Sequence, residues 1–263
     1  MDLGLNGKAA LVCGSSQGLG RAIAEALAAE GAHVVLNSRS AGSLAVTRDE
    51  IAAATGARVE AMAADLTDAA AIDDLVARAT QAFGKLDILV TNTGGPPSGP
   101  FEAHSDEAWR AAIANNLESV VRLVRAALPG MKERRWGRIV NVTSITVKQP
   151  VGGLILSNSL RAAVTGFAKT ISNEAAPFGV TCNCVLPGYT RTARLVDLAE
   201  QNASRSGGTI EGAYEGWTQE IPMGRLGEPE EIGAMAAYLC SERAAYVTGQ
   251  SVAVDGGWIK GLF

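Results

Sequence analysis

Metal ligands, disulfide partners and long apolar runs are scarce in this sequence. Its 263 residues include 4 cysteines and 2 histidines, which argues against both a zinc cluster and a disulfide framework. We therefore expect no metal site and buried, free thiols at Cys13, Cys182, Cys184 and Cys240. No run approaches the roughly 18 apolar residues that cross a bilayer, and no charged and then apolar leader opens the sequence. We expect a cytoplasmic protein without membrane partners.

An excess of one charge sign is also absent. The formal net charge is −4, the hydrophobic fraction is 47%, and the sequence has 30 glycines. These values are typical of a globular protein and argue against a disordered chain or a nucleic-acid-binding one. We expect one domain over residues 1–263.

Short apolar, β-branched runs alternate with longer segments of helical period. The apolar runs are KAALVC, HVVLN, RVEAMAAD, LDILVTN, GRIVNVTS, VTCNCVLPG and QSVAVDGG. The helical segments lie near 18–30, 41–55, 68–83, 105–130, 153–177 and 228–241. This alternation predicts an α/β fold, a doubly wound parallel sheet of Rossmann type with about seven strands and helices on both faces. Ligands of such sheets bind at the carboxyl ends of the strands.

Residues 193–227 interrupt this alternation. The segment is rich in glycine and serine, as in SRSGGTIEGAYEG. We expect an irregular excursion that acts as a substrate lid or binding loop, with a disordered insert as the alternative.

A glycine-rich loop, CGSSQGLGRAIAEAL, follows the first strand. Glycines permit a tight turn and a close approach of phosphate, and the next helix presents its free N–H groups there. We expect this loop to bind a dinucleotide, the alternative being a structural turn. Its predicted binding residues are Gly14, Ser15, Ser16, Gly18, Leu19 and Gly20.

The end of the second strand, VVLNSRS, distinguishes between dinucleotides. An NAD site usually has a carboxylate there for the ribose hydroxyls, but this strand ends in Asn37, Ser38 and Arg39. The Arg39 guanidinium is suited to a bidentate contact with a 2′-phosphate. We predict NADP, with NAD as the alternative cofactor and a solvated surface arginine as the alternative role for Arg39.

These motifs resemble the classical short-chain dehydrogenase/reductase family, in its β-ketoacyl-ACP reductase-like branch, over nearly the whole chain. The glycine loop is similar to TGxxxGxG, TNTGG to NNAG, and PGYTRT to PGxxxT. The resemblance implies further cofactor-binding residues: Asp65, Leu66, Asn92, Gly94, Arg161, Pro187, Gly188 and Thr192. It also implies Asn116 and Ser144 in the active site, and a homotetramer or homodimer.

The family's tyrosine and lysine are missing from their expected positions. The family places the tyrosine 13 residues after the serine and the lysine four further on, which gives Ser157 and Arg161 when counted from Ser144. A phenol has a pKa near ~10, whereas an aliphatic hydroxyl lies nearer to water at ~15.7. Ser157 is therefore a poor acid, and its shorter side chain needs a bridging water to reach the same oxygen. Alternatively, both residues simply cap or pack the helix.

Three functions fit this replacement. The first is a reductase that works weakly or with a relocated acid; the candidate acids are Lys148, Tyr189, His104 and Tyr214. The second is a catalytically inactive NADP-binding sensor or partner protein. The third is a non-redox lyase, hydratase or isomerase in the same cleft. We predict the first, with a small carbonyl or acyl substrate, because residues 94–97 and the lid, with Trp217, Ile221 and Met223, suggest a mostly apolar entrance.

Overall fold

One parallel sheet of seven strands organises the chain. The computed structural model describes residues 1–262, apart from the side chains of residues 205 and 206. The strand order is β3-β2-β1-β4-β5-β6-β7, and every pairing is parallel. The strands are β1 (Ala9–Val12), β2 (His33–Ser38), β3 (Val59–Ala63), β4 (Ile88–Thr91), β5 (Gly137–Val142), β6 (Val180–Pro187) and β7 (Ser251–Val254).

Helices cover both faces of this sheet, as predicted. They are α1 (Gly18–Ala29), α2 (Ala41–Thr55), α3 (Ala69–Phe83), α4 (Asp106–Ile113), α5 (Ser119–Glu133), α6 (Ile155–Ala175), α7 (Ala193–Ser206), α8 (Ile210–Glu220) and α9 (Pro229–Cys240). Two large apolar clusters result, one on each side of the sheet. The doubly wound, Rossmann-type fold that the sequence predicts is confirmed.

The strands and helices follow from local chemistry. β1, β4 and β5 are buried along their whole length, as expected for central strands of a parallel sheet. The side chains of Ser40 and Asp68 accept hydrogen bonds from backbone N–H groups in the first turns of α2 and α3. Both helices end at glycines in the left-handed conformation, Gly56 and Gly84.

The expectation of an irregular segment at 193–227 is wrong. The segment folds into α7 and α8. The residues that suggested a loop cap these helices instead: Gly207 ends α7 with a φ of 69°, and the hydroxyl of Thr209 accepts from the Gly212 N–H. Its role as a lid stays a prediction.

The four cysteines are free and buried, as predicted. Burial raises the pKa of the Cys13 thiol to about 12 and that of the Cys240 thiol to about 12. Among the described residues, no group of histidine, cysteine and carboxylate side chains is arranged to hold a metal ion. No helix formed by the described residues is long and apolar enough to cross a bilayer.

Candidate active site at the carboxyl ends of the strands

The strand order of the sheet reverses at the boundary between the neighbouring strands β1 and β4. β2 and β3 are added on one side of β1, and β4 to β7 on the other. The carboxyl ends of β1 and β4 therefore flank a topological switch point. The region outside these strand ends, called the crevice below, is the usual ligand site of such sheets. The sequence-predicted site residues follow these same strand ends.

The glycine loop after β1 closes tightly against the segment after β4. Gly14 and Gly18 have φ angles of 58° and 56°, a region that favours glycine. The side-chain amide of Asn92 donates to the Gly14 carbonyl at 3.2 Å. A Cβ atom on Gly14 would lie 2.7 Å from the Asn92 carbonyl oxygen, and one on Gly20 would overlap the Gly14 carbonyl. The loop is thus a cradle that only glycine can form at these positions.

Two serines of the cradle have different environments. Ser15 is fully buried, and its hydroxyl donates to the Val12 carbonyl at 2.8 Å. It also accepts from the Asn37 N–H at 3.0 Å, so this hydroxyl ties β1 to β2. Ser16 and Leu19 are only partly buried.

The end of β2 exposes one charged side chain to the crevice region. Asn37 is fully buried and its amide donates across to β3, to the Met62 carbonyl at 3.1 Å. Arg39 is exposed. Asp65, which follows β3, accepts from the Thr67 N–H and hydroxyl; these bonds, and then the charge of Arg39, lower the pKa of its carboxyl group. Arg39 and Asp65 therefore lie at the same edge, beside the buried Leu66.

A π-helical turn, Ala114–Glu118, separates α4 from α5 and positions Asn116. Such turns are rare and are frequent at functional sites. The Asn116 amide donates to the Ala112 carbonyl at 3.2 Å, and its carbonyl oxygen accepts from the Thr93 hydroxyl at 3.2 Å. The neighbouring Asn115 donates to the Gly94 carbonyl at 3.3 Å. The turn therefore holds the loop that follows β4.

Ser144 and Ser157 come from β5 and α6. Ser144 follows β5, and its hydroxyl oxygen accepts from the Thr146 N–H at 3.2 Å, which leaves its hydrogen available. α6 packs against this turn, Ile145–Val147. Ser157, in the first turn of α6, is partly exposed and has no hydrogen-bond partner among the described residues. Lys148 is exposed at the end of the Ile145–Val147 turn.

The Arg161 guanidinium is buried at the carboxyl ends of β4 and β5. The Arg161 residue is 8% exposed. Its Nη1 donates to the Val142 carbonyl at 2.6 Å and its Nη2 to the Thr93 carbonyl at 3.3 Å. Burial, and then the charge of Arg194, lowers its pKa to about 10. It is therefore still protonated at neutral pH, and it connects two strand ends of the crevice.

The segment after β6 brings a distant part of the sequence to the glycine cradle. Pro187 ends β6, and the Gly188 N–H donates to the Val254 carbonyl at 3.0 Å. Thr192 begins α7 as its cap. A Cβ atom on Gly18 would lie 3.6 Å from Cγ2 of Thr192. These two predicted cofactor segments therefore face each other across the crevice.

Tyr189 lies in an aromatic cluster. Its ring stacks on Trp217 at a centroid distance of 4.8 Å and meets Trp258 edge-on at 5.8 Å. Burial, and then the charge of Glu220, raises the pKa of the phenol to about 12. This environment disfavours proton donation from Tyr189 and favours a packing role against α8.

Tyr214 and His104 are two other candidate acids, and of the two it is Tyr214 that belongs to this aromatic cluster. Tyr214 meets Trp217 edge-on at 5.8 Å. His104 follows a short 3-10 turn, and its Nε2 is buried without a hydrogen-bond partner among the described residues.

The residues expected to line an apolar entrance differ in their exposure. Ile221 is 4% exposed and belongs to the core, whereas Met223 is 69% exposed. Arg194, in the first turn of α7, instead extends to the loop after β4, where its Nη2 donates to the Pro96 carbonyl at 2.6 Å. Sequence reasoning missed Arg194, because nothing in TRTAR distinguishes an inward arginine from the exposed Arg191.

Comparison with known proteins gives matches over the whole fold. The chain matches the family model described as enoyl-(acyl carrier protein) reductase over residues 14–259. It is 40% identical to D-beta-hydroxybutyrate dehydrogenase of Cupriavidus necator over 97% of this chain and 99% of that protein. It is 34% identical to 3-oxoacyl-(acyl-carrier-protein) reductase FabG of Escherichia coli over 97% of this chain and 98% of that protein.

A solved structure agrees with the architecture. L-sorbose reductase from Gluconobacter frateurii, complexed with NADPH and L-sorbose, superimposes with a TM-score of 0.94 at 35% identity, and each chain covers 100% of the other. The fold and the crevice described above are thus shared with a reductase that was crystallised with a dinucleotide.

Proposed function

Because the chain belongs to the classical short-chain dehydrogenase/reductase family, we propose that it is an NADP(H)-dependent oxidoreductase that reduces a small carbonyl compound. It resembles 3-oxoacyl-ACP reductases, but Ser157 and Arg161 replace the tyrosine and lysine of the family. The observation that carries this proposal is the convergence of the glycine cradle, Asn116 and the Arg161 guanidinium on the carboxyl ends of adjacent strands.

The residues of the crevice fit a dinucleotide. Gly14 and Gly20 let the cradle pack closely against Asn92 and the start of α1. No side chain caps the N-terminus of α1 within the described residues, and a diphosphate would bind at its free N–H groups. Arg39 is exposed at the end of β2, where a 2′-phosphate would be bound, and Asp65 lies beside it. The segment from Pro187 to Thr192 closes the other side. When bound, NADPH supplies the hydride.

The described residues of the site include no strong acid to protonate the carbonyl oxygen. Within the part of the chain that the structure describes, Ser144 retains a free hydroxyl hydrogen, and the Ser157 hydroxyl, in the first turn of α6, has no hydrogen-bond partner. Neither is a strong acid, and Arg161 holds its protons at neutral pH. We propose that these groups orient the carbonyl oxygen and a water molecule, which gives its proton to the oxygen as the hydride adds to the carbon and leaves as hydroxide. Catalysis then depends mainly on orientation, which can supply roughly 7 to 11 kcal/mol.

Turnover of NADPH and formation of product, measured together, test this function. The purified protein is incubated with NADPH and a panel of small ketones, aldehydes and 3-oxo thioesters. We expect slow loss of NADPH absorbance with one alcohol formed for each NADPH consumed. Product without a change in NADPH would instead identify a non-redox reaction, and tight NADPH binding without any turnover would identify a sensor or partner protein.

Replacing Arg39 with glutamine is expected to weaken NADPH binding and spare NADH. A charge-assisted contact contributes about 1.5 to 3 kcal/mol, so the Kd for NADPH should rise about 10- to 100-fold. Fluorescence titration with both dinucleotides measures this. Arg48→Gln is the matched control, because Arg48 is a partly exposed arginine of α2 that pairs with Asp49. Equal affinity of the wild-type protein for NADPH and NADH would contradict the assignment.

A further inference from the structure

Two arginines bind the same short loop of the crevice without a carboxylate partner. The loop runs from Thr93 to Pro96, after β4. Arg161 donates to its first carbonyl and Arg194 to its last, at 3.3 Å and 2.6 Å. Within the described part of the chain, no carboxylate oxygen lies within 4.0 Å of a guanidinium nitrogen of either arginine.

Other arginines near the crevice do form ion pairs with carboxylates. Arg191 is exposed and pairs with Glu228 at 3.0 Å, and Arg225 pairs with Glu231 at 2.6 Å. Arg194 comes from the same segment but is partly buried and turned toward the loop. The nearest acidic residue on its helix, Asp197, is exposed.

The two positive charges are also close enough to oppose each other. The charge of Arg194 contributes to the lowered pKa of Arg161. Burial lowers the pKa of Arg194 itself, and the charge of Asp197 offsets only part of this effect. Two like charges that are buried or partly buried, with no carboxylate in contact, are costly at low dielectric. An anionic ligand would remove this cost.

We propose that Arg194, with Arg161 behind it, binds the carboxylate of an anionic substrate, so that the enzyme favours short oxo acids over neutral carbonyl compounds. The hydrogen bond to Pro96 uses one of the five N–H groups of Arg194. The remaining donors suit a carboxylate, whose geometry a guanidinium fork matches. The loop from Thr93 to Pro96 would lie beneath the ligand. This inference rests on the proposed function for the position of the reacting carbonyl.

A binding experiment separates the two proposals, because it needs no turnover. Saturation-transfer NMR gives the affinities of butanoate and butanamide, which share one carbon skeleton, for the protein with and without NADPH. We expect butanoate to bind at least about 10-fold more tightly than butanamide. Arg194→Gln should weaken butanoate about 10- to 100-fold and leave butanamide within about 3-fold.

Two variants and one cofactor titration complete the test. Arg194→Lys keeps the charge and should restore part of the butanoate affinity, whereas Arg110→Gln, at an exposed arginine of α4, should change the affinity for neither ligand. The proposal is overturned if butanoate and butanamide bind equally, or if Arg194→Gln leaves butanoate unchanged. It is also overturned if the variant weakens NADPH alone, since Arg194 would then serve the cofactor's diphosphate. Failure of the wild-type protein to bind NADPH would count against the proposed function. The comparison of butanoate with butanamide would still test whether Arg194 binds a carboxylate.

Discussion

Combining Ser157→Tyr with Arg161→Lys is expected to raise kcat/KM for carbonyl reduction by about 100- to 10,000-fold, the usual contribution of a positioned general acid. Ser157 lies in the first turn of α6, which packs against the Ile145–Val147 turn, and its hydroxyl has no hydrogen-bond partner among the described residues. A phenol at this position would extend toward the crevice, and the lysine ammonium would lower its pKa. NADPH oxidation with the best substrate of the panel measures the effect.

The matched control is Ser157→Phe combined with Arg161→Lys. It adds the same ring without the hydroxyl and alters the Arg161 hydrogen bonds in the same way. If both double variants fold and bind NADPH but reduce carbonyls at the same rate, the missing phenol does not limit the reaction. A wild-type rate that Lys148→Ala abolishes would instead identify a relocated acid.

Arg161→Met is expected to lower the free energy of unfolding by about 2 to 4 kcal/mol. The guanidinium satisfies the Val142 and Thr93 carbonyls, and methionine would leave both without this donor. An unsatisfied buried polar group costs about 1 to 3 kcal/mol. Part of this loss is offset, because the variant no longer buries a charge. Urea denaturation monitored by circular dichroism gives the difference.

Arg110→Met is the control for this stability effect. Arg110 is exposed on α4 and pairs only with Asp106 and Glu107 among the described residues. Surface pairs of this kind contribute little, so the control should change stability by less than about 1 kcal/mol. An Arg161→Met protein as stable as the wild type would show that the hydrogen bonds of Arg161 do not stabilise the ends of β4 and β5.

The sequence predicted those features that depend on short-range patterns. The alternation of strands and helices fixed the order of the elements, because buried parallel strands read as apolar runs and their helices as amphipathic ones. The positions of Gly14 and Gly20 followed from the turn that they must form. The expectation of an irregular segment at 193–227 failed for a reason of the same kind: glycine and threonine cap helices as well as making loops, and spacing alone does not tell Gly207 and Thr209 from loop residues.

The sequence by itself determined the fold class, the glycine cradle and the presence of serine and arginine where the family resemblance implies tyrosine and lysine. Only the tertiary structure decided what Arg161 and Arg194 contact, since their partners are backbone carbonyls that carry no sequence signature. The same holds for Tyr189, whose role depends on Trp217 and Trp258 from distant segments. The partners that a long side chain reaches depend on how elements distant in sequence pack together, and local residue patterns do not encode this packing.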